Sequence, residues 1–202
     1  MIWLDSPEVT ATALPAAWLI VTTARPANLA ERSLLRRETA RRVIARQLGL
    51  PADAVCIDHD GKGRPLLARP AGRGLHLSLA TRAGVVAVAL AQRFVGIDIE
   101  RIDPAATPPF AALHPAEGAM LRALPEATRP LAFARLWSAK EANVKALGTG
   151  FVRAPESFSV TLLAPDRFEI DDPLRSSRTA GTGRAIENGG QGILAAAIVT
   201  LD

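Results

Sequence analysis

The chain has 202 residues, of which 49% are hydrophobic and 22% are charged, and it carries a formal net charge of +4. This length allows one sizeable core or two small lobes, and the composition is that of a globular protein rather than a disordered one. The single cysteine, Cys56, excludes an internal disulfide and a multi-cysteine zinc site.

The N-terminal half predicts a strand, a long helix and further short strands. No basic residue occurs in residues 1–5, so we expect no secretory signal. The apolar runs 16–23 and 85–91 are too short to cross a membrane and favour buried strands. Periodicity and glycine or proline punctuation predict a strand at 16–24, a helix at 29–48, a strand at 54–59, a cationic turn at 60–65, and strands at 75–79 and 84–91 around a turn at 80–83.

The C-terminal half repeats the order of strand, helix and strands. Its predicted elements are a strand at 95–100, helices at 115–124 and 129–147, a glycine cap at 148–150, strands at 157–163, 167–170 and 193–201, and a flexible excursion at 175–192. We therefore predict an α+β fold of two similar lobes, residues 1–93 and 94–202. Ligand pockets commonly lie between lobes, so we expect the site in that cleft.

Two charged segments suggest where the chemistry lies. Alternate residues of a strand share a face, so Asp98 and Glu100 should point the same way. Residues four apart share a helix face, so Glu141 and Lys145 should stack. Two carboxylates about 5 Å apart repel by roughly 3 kcal/mol at an effective dielectric of about 20. If strand and helix meet, the all-oxygen cluster favours a divalent cation such as Mg²⁺.

A less specific interpretation explains the same residues without a ligand. Glu141 and Lys145 would form an exposed pair on a helix, which stabilises it by a few tenths of a kcal/mol. Asp98 and Glu100 would then be the solvated end of a strand.

Read together, the two segments resemble the signature of the 4'-phosphopantetheinyl transferases. The matching residues are Gly96-Ile97-Asp98-Ile99-Glu100, followed by Trp137-Ser138-Ala139-Lys140-Glu141-Ala142-Asn143-Val144-Lys145. The resemblance extends to Gly63-Arg64-Pro65, to Leu77-Ser78 and to the strand at 157–160. The length is similar to that of the larger single-chain class, which implies a pseudodimer of two related α+β lobes.

The resemblance implies an enzyme that moves the phosphopantetheine arm from coenzyme A to a serine of a carrier protein, releasing adenosine 3',5'-bisphosphate. It implies that Asp98, Glu100 and Glu141 hold Mg²⁺ against the pyrophosphate. Glu141, or a water molecule near it, is the candidate base for the serine proton. Lys145 would neutralise phosphate oxygens, whereas Lys140 should point roughly 100° away from Glu141.

The resemblance also implies contacts with coenzyme A. Arg32 and Ser33 match the start of the family's first helix, Arg64 stands where the family usually has lysine, and Ser78 lies on the serine strand. Lys145 is a further predicted contact.

The chain departs from the family pattern at Leu79, where the family has a histidine. Thr81 and Arg82 in the following turn are the predicted substitutes. Glu117 resembles a further acidic position of the family and either supports the metal or acts as a helix N-terminal carboxylate.

The partners expected from this resemblance are coenzyme A and an acidic acyl or peptidyl carrier protein, which a basic surface would steer into contact. We expect a cytoplasmic monomer that binds neither nucleic acid nor membrane. Two rivals remain. One is a nucleic-acid binder, based on the basic helix at 29–48, although no reader motif accompanies it. The other is a catalytically silent module that binds coenzyme A or a carrier protein.

Overall fold

The computed structural model describes residues 1–24, 26–105, 107–149, 152–188 and 192–202, and their elements form a mixed α+β fold. The helices are α1 Leu29–Leu48, α2 Pro115–Ala123 and α3 Arg129–Leu147. The strands are β1 Ile2–Leu4, β2 Ala16–Val21, β3 Cys56–His59, β4 Pro65–Arg69, β5 His76–Arg82, β6 Val85–Ala91, β7 Phe94–Arg101, β8 Ser159–Ala164, β9 Arg167–Asp171, β10 Thr179–Glu187 and β11 Ile193–Leu201.

The first sheet has the order β1-β2-β6-β5, with β1 parallel to β2 and the other neighbours antiparallel. Helix α1 covers one face of it. Ala40, Val43 and Ile44 recur at helical spacing and are buried against Trp18 and Val88 of the sheet. Strands β3 and β4 form a separate antiparallel hairpin beside this lobe.

The second sheet is antiparallel throughout and has the order β7-β11-β10-β9-β8. Helix α3 lies on one of its faces. Leu136 and Ala142 of the helix share a buried cluster with Ile170 and Val199 of the sheet. Left-handed glycines end both long helices, at Gly49 and Gly148, as the glycine signals predict.

The sheet faces away from the two helices meet in a third buried cluster. Leu19 and Ala87 contribute from the first sheet, and Ile97 and Ile198 contribute from the second. The order of layers is therefore helix, sheet, sheet, helix. This arrangement agrees with the predicted α+β fold of two lobes. The division at residue 93 and the similarity of the lobes as two copies stay predictions.

One predicted element is wrong. The excursion predicted at 175–192 contains β10, a strand that pairs with β9 and β11 in the interior of the second sheet. The glycines of this segment are not typical of a strand. Packing explains Gly181, because a Cβ at this position would overlap the Phe168 ring. Residues 189–191 of that excursion, and Gly150 of the predicted cap, lie outside the described residues.

Several smaller differences concern the first half. Strands β1 and β4 were not predicted, since each is short and lacks a clear alternating pattern. The turn predicted at 80–83 is shorter, because Thr81 and Arg82 belong to β5 and the chain reverses at Ala83 and Gly84, which both have positive φ. In the described part of the chain, no helix combines the length and the hydropathy needed to cross a bilayer.

Candidate active site

The site begins where α3 crosses β7 at very short range. Gly96 makes this approach possible, because a Cβ at this position would overlap the carbonyl oxygen of Ala142 and crowd the backbone nitrogen of Ala146. Ile97 and Ile99 point into the cluster between the sheets, so the alternating residues Asp98 and Glu100 take the face that carries α3. The predicted meeting of strand and helix is therefore present.

Lys145 joins the helix to the strand. Its Nζ lies 2.6 Å from Asp98 Oδ1 and also donates to the carbonyl oxygen of Ile97 at 3.1 Å. Asp98 is buried, and burial raises the pKa of its carboxyl, while Lys145 and the backbone N–H of Ile99 limit that rise. The second carboxylate oxygen, Asp98 Oδ2, is buried without a hydrogen-bond partner among the described residues.

Glu100 and Glu141 complete a cluster of three acids. Burial raises the pKa of Glu100 to about 7, and the charges of Asp98 and Glu141 add to that rise while Arg82 opposes it. Arg82 Nη2 lies 3.3 Å from Glu100 Oε2. Burial also raises the pKa of Glu141, with Asp98 as the next cause. The charge of Asp98 therefore contributes to the raised pKa of both Glu100 and Glu141.

The chemistry of these donors fits a divalent cation, although the described residues form no preassembled metal cage. Within the described residues, no group of three or more His, Cys, Asp or Glu side chains is arranged to hold a metal ion. The three carboxylates nevertheless supply oxygen ligands, their repulsion would be relieved by positive charge, and Asp98 Oδ2 lacks a partner. Lys145 and Arg82 provide part of that positive charge.

A cavity of about 300 Å³ opens beside the cluster and is lined from both lobes. The first lobe contributes α1, the β3–β4 turn and β5, and the second contributes α3 and the segment after it. The charged residues that line it are Arg36, Lys62, Arg64, Lys140, Glu141, Lys145 and Arg153. Because cations greatly outnumber acids in this lining, the cavity is suited to a ligand that carries several negative charges.

Four of the predicted site residues line this cavity: Arg64, Ser78, Glu141 and Lys145. Arg64 reaches across to the second lobe, where its Nη2 donates to the carbonyl oxygen of Ala146 at 3.2 Å and its guanidinium lies over the Phe94 ring. Ser78 Oγ accepts a hydrogen bond from the backbone of Ile97 at 3.1 Å, so it also ties β5 to β7.

Three other predicted contacts with coenzyme A lie elsewhere. Arg32 is exposed, Ser33 is half-buried, and neither lines the cavity. Arg82 also does not line the cavity and instead pairs with Glu100. The structure gives these three residues no contact with this cavity, and their role stays a prediction.

Sequence reasoning missed a buried ion pair behind the site. Lys140 Nζ lies 2.7 Å from Glu117 Oε1 and donates to the carbonyl oxygens of Pro155 and Phe158, both at 2.7 Å. Glu117 also accepts from the backbone of His114 in a capping box and from that of Val160. Glu117 is therefore a helix N-terminal carboxylate that fixes Lys140. The His114-to-Glu117 spacing could have indicated the cap, whereas the pairing with Lys140 depends on tertiary contacts.

Arg153 is a second residue that the sequence did not single out. Its guanidinium pairs with the buried Asp172, donates to Ser157 Oγ at 3.2 Å and lies over the Phe158 ring. These contacts hold the segment after α3 against the second sheet and place Arg153 at the cavity wall.

The comparison with known proteins agrees with the resemblance that the sequence motifs indicate. Residues 94–191 match the model of the 4'-phosphopantetheinyl transferase superfamily. The chain is 34% identical over 131 residues to the 4'-phosphopantetheinyl transferase HetI of Nostoc sp., covering 60% of this chain and 55% of HetI. It is 29% identical over 134 residues to the 4'-phosphopantetheinyl transferase psf-1 of Bacillus pumilus, covering 66% of this chain and 57% of that protein.

The chain thus spans little more than half the length of the curated relatives it matches. The region matched by the family model begins at β7, contains Asp98, Glu100, Glu141 and Lys145, and ends beyond β10. Through this region the chain is similar to the 4'-phosphopantetheinyl transferase superfamily.

Proposed function

We propose that this protein transfers the 4'-phosphopantetheine arm of coenzyme A to a serine hydroxyl of an apo carrier protein and releases adenosine 3',5'-bisphosphate. The observation that carries the proposal is the meeting of Asp98, Glu141 and Lys145 beside a cavity that Glu141 and Lys145 line together with several further cations. Transfer at a phosphorus atom depends mostly on positioning and on neutralising oxygens, and this arrangement supplies both.

A divalent cation, taken here as Mg²⁺, would be held by Asp98, Glu100 and Glu141. Support comes from their oxygen donors, from the repulsion between their charges, and from Asp98 Oδ2, which has no hydrogen-bond partner among the described residues. When bound, the ion would orient the pyrophosphate and draw electron density from its oxygens.

Glu141 is proposed to accept the serine proton. Its carboxyl makes no ion pair within the described residues and lines the cavity, so it can approach a bound hydroxyl, and proximity would do much of the work of proton transfer. The serine oxygen would form a bond to the β-phosphorus while the bond from that phosphorus to the bridging oxygen breaks. The bridging oxygen then leaves with adenosine 3',5'-bisphosphate.

Lys145 is proposed to donate a hydrogen bond to the phosphate oxygens from a fixed position. Asp98 and the carbonyl oxygen of Ile97 already hold its ammonium and occupy two of its three donor hydrogens. The remaining donor is available to a phosphate oxygen without a large movement of the side chain. Arg64 is proposed as a further cofactor contact on the opposite wall.

The binding partners, the location and the oligomeric state are also proposed from the resemblance to the family. The partners are coenzyme A and an acidic acyl or peptidyl carrier protein, and the protein is a cytoplasmic monomer of two lobes divided near residue 93. The acidic cluster beside the cavity disfavours nucleic acid as the ligand.

The test uses the whole protein with coenzyme A, Mg²⁺ and a panel of apo carrier proteins. We expect at least one carrier to gain the mass of the arm, and adenosine 3',5'-bisphosphate to appear in equal amount. Binding of coenzyme A without transfer to any carrier would favour the alternative of a catalytically silent module. Absence of both binding and transfer would contradict the proposal and its alternative together.

A further inference from the structure

Among the described residues, one half-buried cation of the cavity lining has no ion-pair or hydrogen-bond partner at all. Arg64, Lys140, Lys145 and Arg153 all have protein partners, as described above. Arg36 has neither an ion pair nor a hydrogen-bond partner for its guanidinium within the described part of the chain.

Arg36 occupies a defined position on α1. It lies one turn before Ala40 and two turns before Val43, and both of those residues are fully buried against the first sheet. Arg36 therefore continues the buried face of the helix to the point where the sheet ends and the cavity begins. Its place at the wall follows from the helix register and does not depend on a flexible loop.

The guanidinium is half-buried there, and nothing described offsets the loss of water. Burial lowers the pKa of Arg36, and the neighbouring Arg37 lowers it further. Lys62, the other lining cation without a side-chain partner, is exposed to solvent and does not carry the same penalty. A desolvated, unpaired guanidinium in a cavity is the arrangement expected where an anionic ligand supplies the missing partner.

The residues around Arg36 indicate which anionic group of the ligand would bind there. Leu77 and Leu79 line the cavity from β5, His59 lines it from the end of β3, and Lys62 lines it from the β3–β4 turn. The acids and Lys145, which serve the pyrophosphate in the proposed function, belong to β7 and α3 on the other side. The first-lobe wall is therefore left to the other charged group of coenzyme A, its 3'-phosphate. A planar guanidinium binds a phosphate monoester through two parallel hydrogen bonds.

We propose that Arg36 binds the 3'-phosphate of coenzyme A and so makes the enzyme prefer coenzyme A to 3'-dephospho-coenzyme A. This inference rests on the proposed function. It also gives a substitute for the histidine that Leu79 replaces: the positive charge comes from α1 and not from Arg82.

The test measures direct binding of coenzyme A and of 3'-dephospho-coenzyme A by calorimetry, with Mg²⁺ and without a carrier protein. For wild type we expect tighter binding of coenzyme A. Arg36→Ala should raise the Kd for coenzyme A by about tenfold or more, which is the effect expected when a charge-assisted hydrogen bond is lost. The Kd for 3'-dephospho-coenzyme A should stay nearly unchanged. Arg36→Lys should restore part of the preference. Arg37→Ala is the control, because Arg37 is the exposed neighbour on the same helix and does not line the cavity.

The possible results separate this inference from the proposed function. If Arg36→Ala retains the wild-type preference for coenzyme A, or raises the Kd for both compounds by the same factor, the assignment of Arg36 is wrong while the transferase proposal stands. If wild type binds both compounds equally, the assignment is again wrong. If wild type binds neither compound, both proposals fail. Thermal unfolding of each variant shows whether it has folded.

Discussion

At the scale of single residues, the site is organised by charges that hold one another in place. Lys145 neutralises Asp98, Arg82 neutralises Glu100, and Lys140 neutralises Glu117. The first two pairs lie at the proposed centre, and the third lies behind it. The buried pair differs from the others because both of its partners are almost completely shielded from water, so neither charge can be solvated if its partner is removed.

The buried pair gives the first prediction, which concerns stability. Lys140→Met should lower the free energy of unfolding by about 3–5 kcal/mol, because it leaves the Glu117 carboxylate buried without its counter-ion. The double variant Glu117→Gln, Lys140→Met should recover part of that loss. Denaturant unfolding measures both.

The control for this prediction is Lys62→Met, since Lys62 is an exposed cation and its loss should change stability by less than about 0.5 kcal/mol. If Lys140→Met were no less stable than Lys62→Met, the pair would have no structural role.

At the scale of elements, the contact of α3 with β7 determines the geometry of the site. Gly96→Ala should push the helix away from the strand, because the new Cβ would meet backbone atoms that cannot move aside independently. We expect a loss of about 1–3 kcal/mol or more in stability and a large fall in transferase activity.

The matched control is Gly61→Ala in the turn between β3 and β4, where a Cβ would meet nothing within 4 Å. Thermal unfolding and initial rates of both variants test the prediction. Equal melting temperatures and rates for Gly96→Ala and wild type would show that the close approach is not needed.

The sequence predicts some elements much better than others, for physical reasons. The bounds of α1 and α3 agree with the structure because the glycine that ends each helix is a local signal, and α1 also carries an apolar stripe. Strand β10 could not be predicted, since its glycines and polar residues become a strand only through pairing on both sides.

The same distinction holds for the site. Strand alternation and helical spacing were enough to predict that Asp98 and Lys145 face each other, once β7 and α3 were assumed to meet. The register of α1 puts Arg36 on the buried face of its helix. The presence of a cavity at that face, and the pairing of Arg82 with Glu100, depend on how the two lobes pack, and no local pattern in the sequence encodes that.

At the scale of the whole molecule, the excess of basic residues has a consequence for partner binding. The net charge is +4, and cations predominate in the lining of the cavity. We predict that raising the ionic strength increases the KM for an acidic carrier protein, because salt screens the attraction that brings the partners together. Initial rates at several salt concentrations measure this effect. A KM independent of salt would show that docking does not rely on charge.

The proposed transfer of the phosphopantetheine arm depends on the carboxylates and the lysine between β7 and α3. Its most direct test is a time course of intact carrier mass with coenzyme A and Mg²⁺, comparing wild type with Glu141→Gln. The control is Glu126→Gln, an exposed acid just before α3. We predict full conversion by wild type and the control, and a rate for Glu141→Gln that is lower by about 100-fold or more. Equal rates for all three proteins, or no mass gain with any of them, would contradict the account.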